Sequence, residues 1–159
     1  VLLYLNVGRM IQVMNDLTST KINFLKEAGT ESMPHRNQSL FEHLVGVRDK
    51  LKTMGAADHV QDAGLFHSIY GTDSYKHQTT NDRQKVKELI GERAELLVYM
   101  FCTMPRPRAQ SFGEIVDSCL RKELMLIHHA NEEDMRNTVN TEMSMEEAYG
   151  AIGFDSGRT

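Results

Sequence analysis

Apolar positions recur at three-and-four spacing along nearly the whole chain, polar residues fill the opposite side, and no stretch alternates with the period of two that marks a half-buried strand. The pattern predicts an all-α, single-domain helical bundle with at least five helices and essentially no sheet. Leu3, Val7, Met10, Ile11, Met14 and Leu17 form one face of a first helix. The hydroxyls of Thr18, Ser19 and Thr20 are expected to cap a second, short one through Ile22, Phe24 and Leu25, stopped by Gly29. In the loop GTESMPHRNQS, Pro34 disfavours helix at Met33 and leaves His35 and Arg36 at the entrance of the next helix. There Leu40, His43, Leu44, Val47 and Leu51 share a face, so His43 points where the apolar side chains point. After Gly55, Asp58 reads as the N-cap of a helix running into Ile69, Tyr70 and Gly71, with Val60, Ala63, Gly64 and His67 along one face. Small Ala63 and Gly64 let another helix come close, so the imidazoles of His43 and His67 are expected to face each other.

Residues 72–81 are polar and predict a loop near the mouth of any pocket between the two histidine helices. Asn81 or Thr80 then caps a helix through Val86, Leu89 and Ile90, and AELLVYMFCTM predicts a buried central helix. The PRPR at 105–108 is expected to be an exposed connection outside the pocket, because its prolines remove two backbone donors, which water tolerates better than a core does. Ser111 and Glu114 form a capping box that should open a long helix carrying Leu120, Leu124, Ile127, His128, His129 and Asn131. A second box at Ser144 and Glu147 precedes a loose tail, 154–159. No linker or internal repeat divides the chain, so one domain is expected over 1–159, with its core at about 35–131.

Composition narrows the function classes. At 159 residues and 40% hydrophobic the chain can bury one real core. A net charge of −4 with no long basic run argues against nucleic acid as a partner, since neutralising phosphates takes clustered Lys and Arg. Cys102 and Cys119 are too few for a disulfide scaffold and suit a reducing cytoplasm. The opening VLLYLNVGRMIQVM lacks the basic start of a signal peptide and is interrupted at Asn6; with Val at position 1, nothing functional is rested on it. No stretch approaches the roughly 20 apolar residues that span a bilayer, so no membrane partner is expected. Met-rich segments at 10–14 and 100–104 suit core packing or a homodimer face.

The chemistry concentrates on the paired histidines. A single inward histidine is commonly a packed core residue hydrogen-bonded to backbone; two on facing helices can also form a site. His35 precedes His43 by eight residues, about 12 Å along a helix axis, so it joins such a site only from a loop. A helix with a His, a gap of about two dozen residues and then A-G-L-F-H-S resembles the HD-domain superfamily, whose usual text is A-x-L-L-H-D. The stretch 35–72 is also similar to uncharacterised proteins with an H-S-x-Y-G-T signature. The superfamily resemblance implies an all-α fold with metal between its helices, as in metal-dependent phosphohydrolases and diiron oxygenases. It places metal ligands at His43 and His67, and beside them His35 is expected as a further ligand from the loop. The Asp of its dyad falls on Ser68, a poor ligand for hard ions, and its last Asp finds the nearest match in Asn131, with Asp134 one turn further on. Such a site implies a metal-dependent hydrolase of a small phosphorylated or nucleotide-like substrate. Arg36 would neutralise substrate charge, Tyr70 would donate a hydrogen bond, and Ser68 and Asn131 would line the pocket. Neutral imidazoles favour Zn, Fe or Ni over Mg. The alternatives are a metal-free module that binds a small ligand or a partner, and a His-rich iron oxygenase.

Overall fold

The computed structural model describes residues 2–140; the capping box expected at Ser144 and Glu147 and the tail from Phe154 lie outside them. The expected all-α architecture is present. In order come α1 (Leu2–Glu27), a 3₁₀ turn (Thr30–Ser32), strands β1 (Pro34–His35) and β2 (Gln38–Ser39), α2 (Leu40–Thr53), α3 (Asp58–Phe66), α4 (Arg83–Ile90), α5 (Glu92–Thr103), α6 (Arg108–Glu114) and α7 (Ser118–Asn140). The strands form one small antiparallel ribbon that pairs Pro34 with Ser39 and His35 with Gln38, and Arg36 sits at its tip with a left-handed φ of 53°.

The core lies where α2 packs on α3 and α7 and where α3 packs on α5. Leu44, Val47 and Leu51 of α2, Val60, Ala63 and Phe66 of α3, Leu97, Val98 and Phe101 of α5, and Leu124 and Ile127 of α7 are all buried. The small residues of α3 act as expected, since a side chain at Gly64 would run into Leu51. Gly46 plays the same part for α7: a Cβ there would meet the Asp134 carboxylate.

Several element boundaries differ from expectation for local reasons. The hydroxyl cluster does not interrupt α1, because Thr20 Oγ1 donates back to Asp16 O at 2.9 Å instead of capping a new helix. Ile11 and Leu17, expected on an inward face, are half exposed, and Leu25 near the end of α1 is buried. α2 starts at Leu40 behind a full capping box, in which Ser39 Oγ accepts from Glu42 N at 3.2 Å while Ser39 N donates to Glu42 Oε2 at 2.8 Å. Asp58 is the first residue of α3 rather than its cap, and Asp82, not Asn81 or Thr80, caps α4 by accepting from Lys85 N. Ser111 lies inside short α6, with its hydroxyl donated to Pro105 O, so the long helix begins later, with Asp117 Oδ1 accepting from Leu120 N. No described helix is long and apolar enough to cross a membrane.

Candidate functional site

His43 is carried inward by the apolar face of α2 and has no exposed surface. His67 closes α3 as its C-cap and is likewise buried. Its Nδ1 lies 2.8 Å from Gly64 O. A carbonyl only accepts, so the ring carries its proton on Nδ1 and leaves the Nε2 lone pair free. Burial, with help from neighbouring His43, pulls the His67 pKa down to about 3, which keeps this imidazole neutral.

Asn131 and Asp134 sit one turn apart on α7 and complete the cluster. Asp134 Oδ2 lies 2.8 Å from His43 Nδ1 and 3.0 Å from Gln38 Nε2, and Lys50 Nζ is 3.5 Å from Oδ1. Burial alone would raise the Asp134 pKa, but the hydrogen bonds from His43 and Gln38 and the nearby Lys50 ammonium outweigh it and hold the carboxyl below its ordinary value. The group is therefore an acceptor, and His43, too, holds a proton on Nδ1. Asn131 donates its amide to Glu132 Oε1 at 3.4 Å, which turns Oδ1 towards the imidazoles. The result is a triangle of lone-pair atoms: His43 Nε2 to His67 Nε2 is 3.2 Å, His43 Nε2 to Asn131 Oδ1 is 3.1 Å, and His67 Nε2 to Asn131 Oδ1 is 3.0 Å. Three acceptors this close repel one another unless a proton or a cation lies among them.

His35 enters from β1 and stacks flat on His43, with ring centroids 4.1 Å apart and planes 13° apart; Tyr75 meets it edge-on at 5.0 Å. Burial, with His43 and Arg36 nearby, pulls its pKa down to about 4. Phe101 meets the His67 ring edge-on at 5.4 Å. His35, Ser68, Tyr75, Phe101, Arg108 and Asn131 line a small pocket against His67, of about 20 Å³, room for about one water. Three polar atoms of its lining, His35 Nδ1, Ser68 Oγ and Arg108 Nε, are buried without a hydrogen-bond partner among the described residues. A larger, more open hollow of about 470 Å³ bordered by Gly46, Asp49, Lys50 and Glu133 holds none of the histidines.

His43, His67, His35, Ser68 and Asn131 thus come together, and two expected residues do not. Tyr70 donates its hydroxyl to Glu95 Oε1 at 3.1 Å, and Glu95 is gripped by Arg83 at 2.6 and 2.9 Å, in a separate pocket. α3 ends at Phe66, so the helical spacing that would have put Tyr70 on the His67 side no longer holds. Arg36 is exposed at the ribbon tip and does not line the pocket. The arginines that do are Arg106 and Arg108, of which Arg108 is buried; this overturns the expectation that PRPR stays outside the pocket. Among the described residues no three His, Cys, Asp or Glu side chains gather to hold a metal; the third corner of the triangle is an amide oxygen.

A family model described as "Domain of unknown function (DUF6817)" matches residues 24–106. That span includes His35, His43, His67, Ser68 and Arg106 and stops short of Arg108, Asn131 and Asp134. Among curated proteins and solved structures, nothing matches the chain.

Proposed function

The chain belongs to the DUF6817 family, whose name carries no activity, and from that premise we propose that His43, His67 and Asn131 hold a borderline divalent ion, Zn, Fe or Ni rather than Mg, in a hydrolase of small phosphorylated substrates. The observation that carries the reading is the triangle itself. Donors roughly 2.0–2.1 Å from a zinc-like ion lie about 3.3–3.4 Å apart at tetrahedral angles and about 2.8–3.0 Å apart at right angles, and the three edges here, 3.2, 3.1 and 3.0 Å, fall between the two. Each imidazole gives its outer N–H to a backbone carbonyl or a carboxylate, the arrangement that fixes tautomer and ring orientation in metal-binding histidines. Two neutral nitrogens and one amide oxygen suit borderline ions, whereas Mg demands oxygen.

When bound, such an ion supplies Lewis acidity to a water and to a phosphoryl oxygen. The chain's own residues do the rest. Asp134 holds the His43 ring, Gly64 O holds the His67 ring, and Phe101 walls the pocket against bulk water. Ser68 Oγ and His35 Nδ1, both without partners among the described residues, are free to hydrogen-bond a water or substrate oxygen. The reading extends the resemblance to the HD-domain superfamily, with one change: Ser68 stands at the dyad's Asp, and the carboxylate acts from Asp134 on the far side of His43.

A second reading is a metal-free ligand-binding module. The close His43–Asp134 contact favours it, because an extra proton on His43 Nε2 would be balanced by that carboxylate and could bond His67 or Asn131. Elemental analysis of the purified, untagged chain separates the two. We expect a stoichiometric ion that His67→Ala removes while helical circular dichroism persists, and phosphatase turnover that returns with added metal. Protein that contains no metal and takes up no Zn, Fe or Ni would sink the metal reading.

A further inference from the structure

Arg83 and Arg93 each have a carboxylate partner, Glu95 and Glu123. Arg108 has none within ion-pair distance among the described residues, although it is 4% exposed. Its guanidinium lies over the Phe101 ring at 4.1 Å, Nη2 makes a long 3.4 Å bond to Phe101 O, and Nε has no partner among the described residues. Burial lowers its pKa to about 10, so the group stays charged at neutral pH. An unpaired buried charge destabilises a fold and calls for an explanation. The pocket beside it offers one: Arg108 lines the same small space as Asn131, His67 and Ser68, with Arg106 on its rim bonded to Ser74 Oγ at 3.0 Å, and no lining residue is acidic. The acids that face Arg108 from neighbouring elements, Glu132 of α7 and Asp73 of the 72–81 loop, lie beyond contact, and Asp73 is held by Lys76 and by Arg106 N.

We propose that Arg108, with Arg106 at the rim, is the subsite for a terminal phosphoryl group, set so that one of its oxygens enters the pocket beside Ser68 and His35. A guanidinium presents its donors in a planar fork that matches a phosphate edge, and it is the residue type suited to a charge-assisted, two-pronged grip. The pocket has room for about one water, so it admits a single oxygen of a monoester's phosphoryl group and leaves none for an ester arm. The proposal deepens the hydrolase reading by naming its substrate class, phosphomonoesters rather than diesters, but it rests on Arg108 and not on the metal.

The test uses the full chain stripped of metal, so that its failure and the failure of the metal reading are separate results. Inorganic phosphate is titrated calorimetrically and by thermal shift at constant ionic strength, with acetate and dimethyl phosphate as comparison arms. We expect phosphate to bind and to raise the unfolding temperature, the other two anions to do neither, Arg106→Gln to weaken phosphate a few-fold and Arg108→Met to weaken it at least tenfold. Without phosphate, Arg108→Met should unfold at the wild-type temperature or above it, because it removes an unpaired charge; a purely structural arginine would give a large loss instead. If Arg108→Met does not fold, Arg108→Lys decides: it keeps the charge, loses the fork, and should weaken phosphate several-fold. Wild-type protein indifferent to phosphate, or Arg108 variants that bind it unchanged, overturns the subsite, and equal binding of dimethyl phosphate overturns the monoester assignment.

Discussion

Both nitrogens of His43 are engaged, one by Asp134 and the other by the triangle, so the carboxylate sets which face of the ring the site receives. Asp134→Asn keeps the shape but removes the charge that fixes the tautomer. Losing such an outer partner typically weakens a metal by roughly 10–100-fold, and a calorimetric zinc titration of the variant should show a loss of that size; unchanged affinity would mean that Asp134 does not orient the ligand. At this scale the sequence was legible wherever a residue sat in mid-helix. Helical spacing placed His43 and, with small Ala63 and Gly64, brought His67 to face it, and Asn131 was found as the nearest match to the last Asp of the HD-domain superfamily. Arg108 was not found, because a Pro-rich tetrapeptide looks like solvated surface and only the tertiary position of Phe101 shows that its second arginine turns inward. Tyr70 was misplaced by extending helical spacing past a helix that had already ended.

Between elements, the approach of α2 to α7 hangs on Gly46. In a bare helix Gly→Ala stabilises by about 1 kcal/mol, but here the new methyl would collide with the Asp134 carboxylate, and overpacking of that kind costs about 1–3 kcal/mol. We expect Gly46→Ala to be net destabilising in urea by roughly 1 kcal/mol and to loosen the His43–Asp134 contact, seen as weaker metal binding; a more stable variant with intact binding would show that the carboxylate can step aside freely. Element boundaries were legible where a cap uses chain neighbours, as with the Ser39–Glu42 box, a signal present in the text of the chain. They were misread where a hydroxyl had two outlets. Thr20 could cap or bond back, Ser111 could open a helix or bond Pro105, and local sequence does not say which; the competition is decided by where the neighbouring helices pack.

For the whole molecule, buried neutral histidines set the response to acid. His67 and His35 fall from an ordinary 6.5 to about 3 and about 4, so in the metal-free chain the folded state binds fewer protons than the unfolded state. Stability therefore rises with pH: their contribution is complete above pH 6.5 and is lost as pH falls below it towards 4, each proton adding up to about 1.4 kcal/mol per pH unit. The Asp134 shift has the same sign but acts only below its unfolded value of 3.8, so the window between belongs to the histidines, with His128, lowered by its own burial, adding to it. Urea midpoints at pH 7.5, 5.5 and 4.5 should fall in that order, and a flat profile would mean that the imidazoles take up protons without unfolding the chain. Global fold class was the most legible level, because helical periodicity is repeated many times and single errors cancel. The triangle also joins points 24, 64 and 88 residues apart. In polymer language it is a cross-link that closes two large rings of chain, and whatever occupies it is a removable staple: bound at a hundred times its dissociation constant it adds about 2.7 kcal/mol to the fold, and when it leaves, α7 loses one of its ties to the rest.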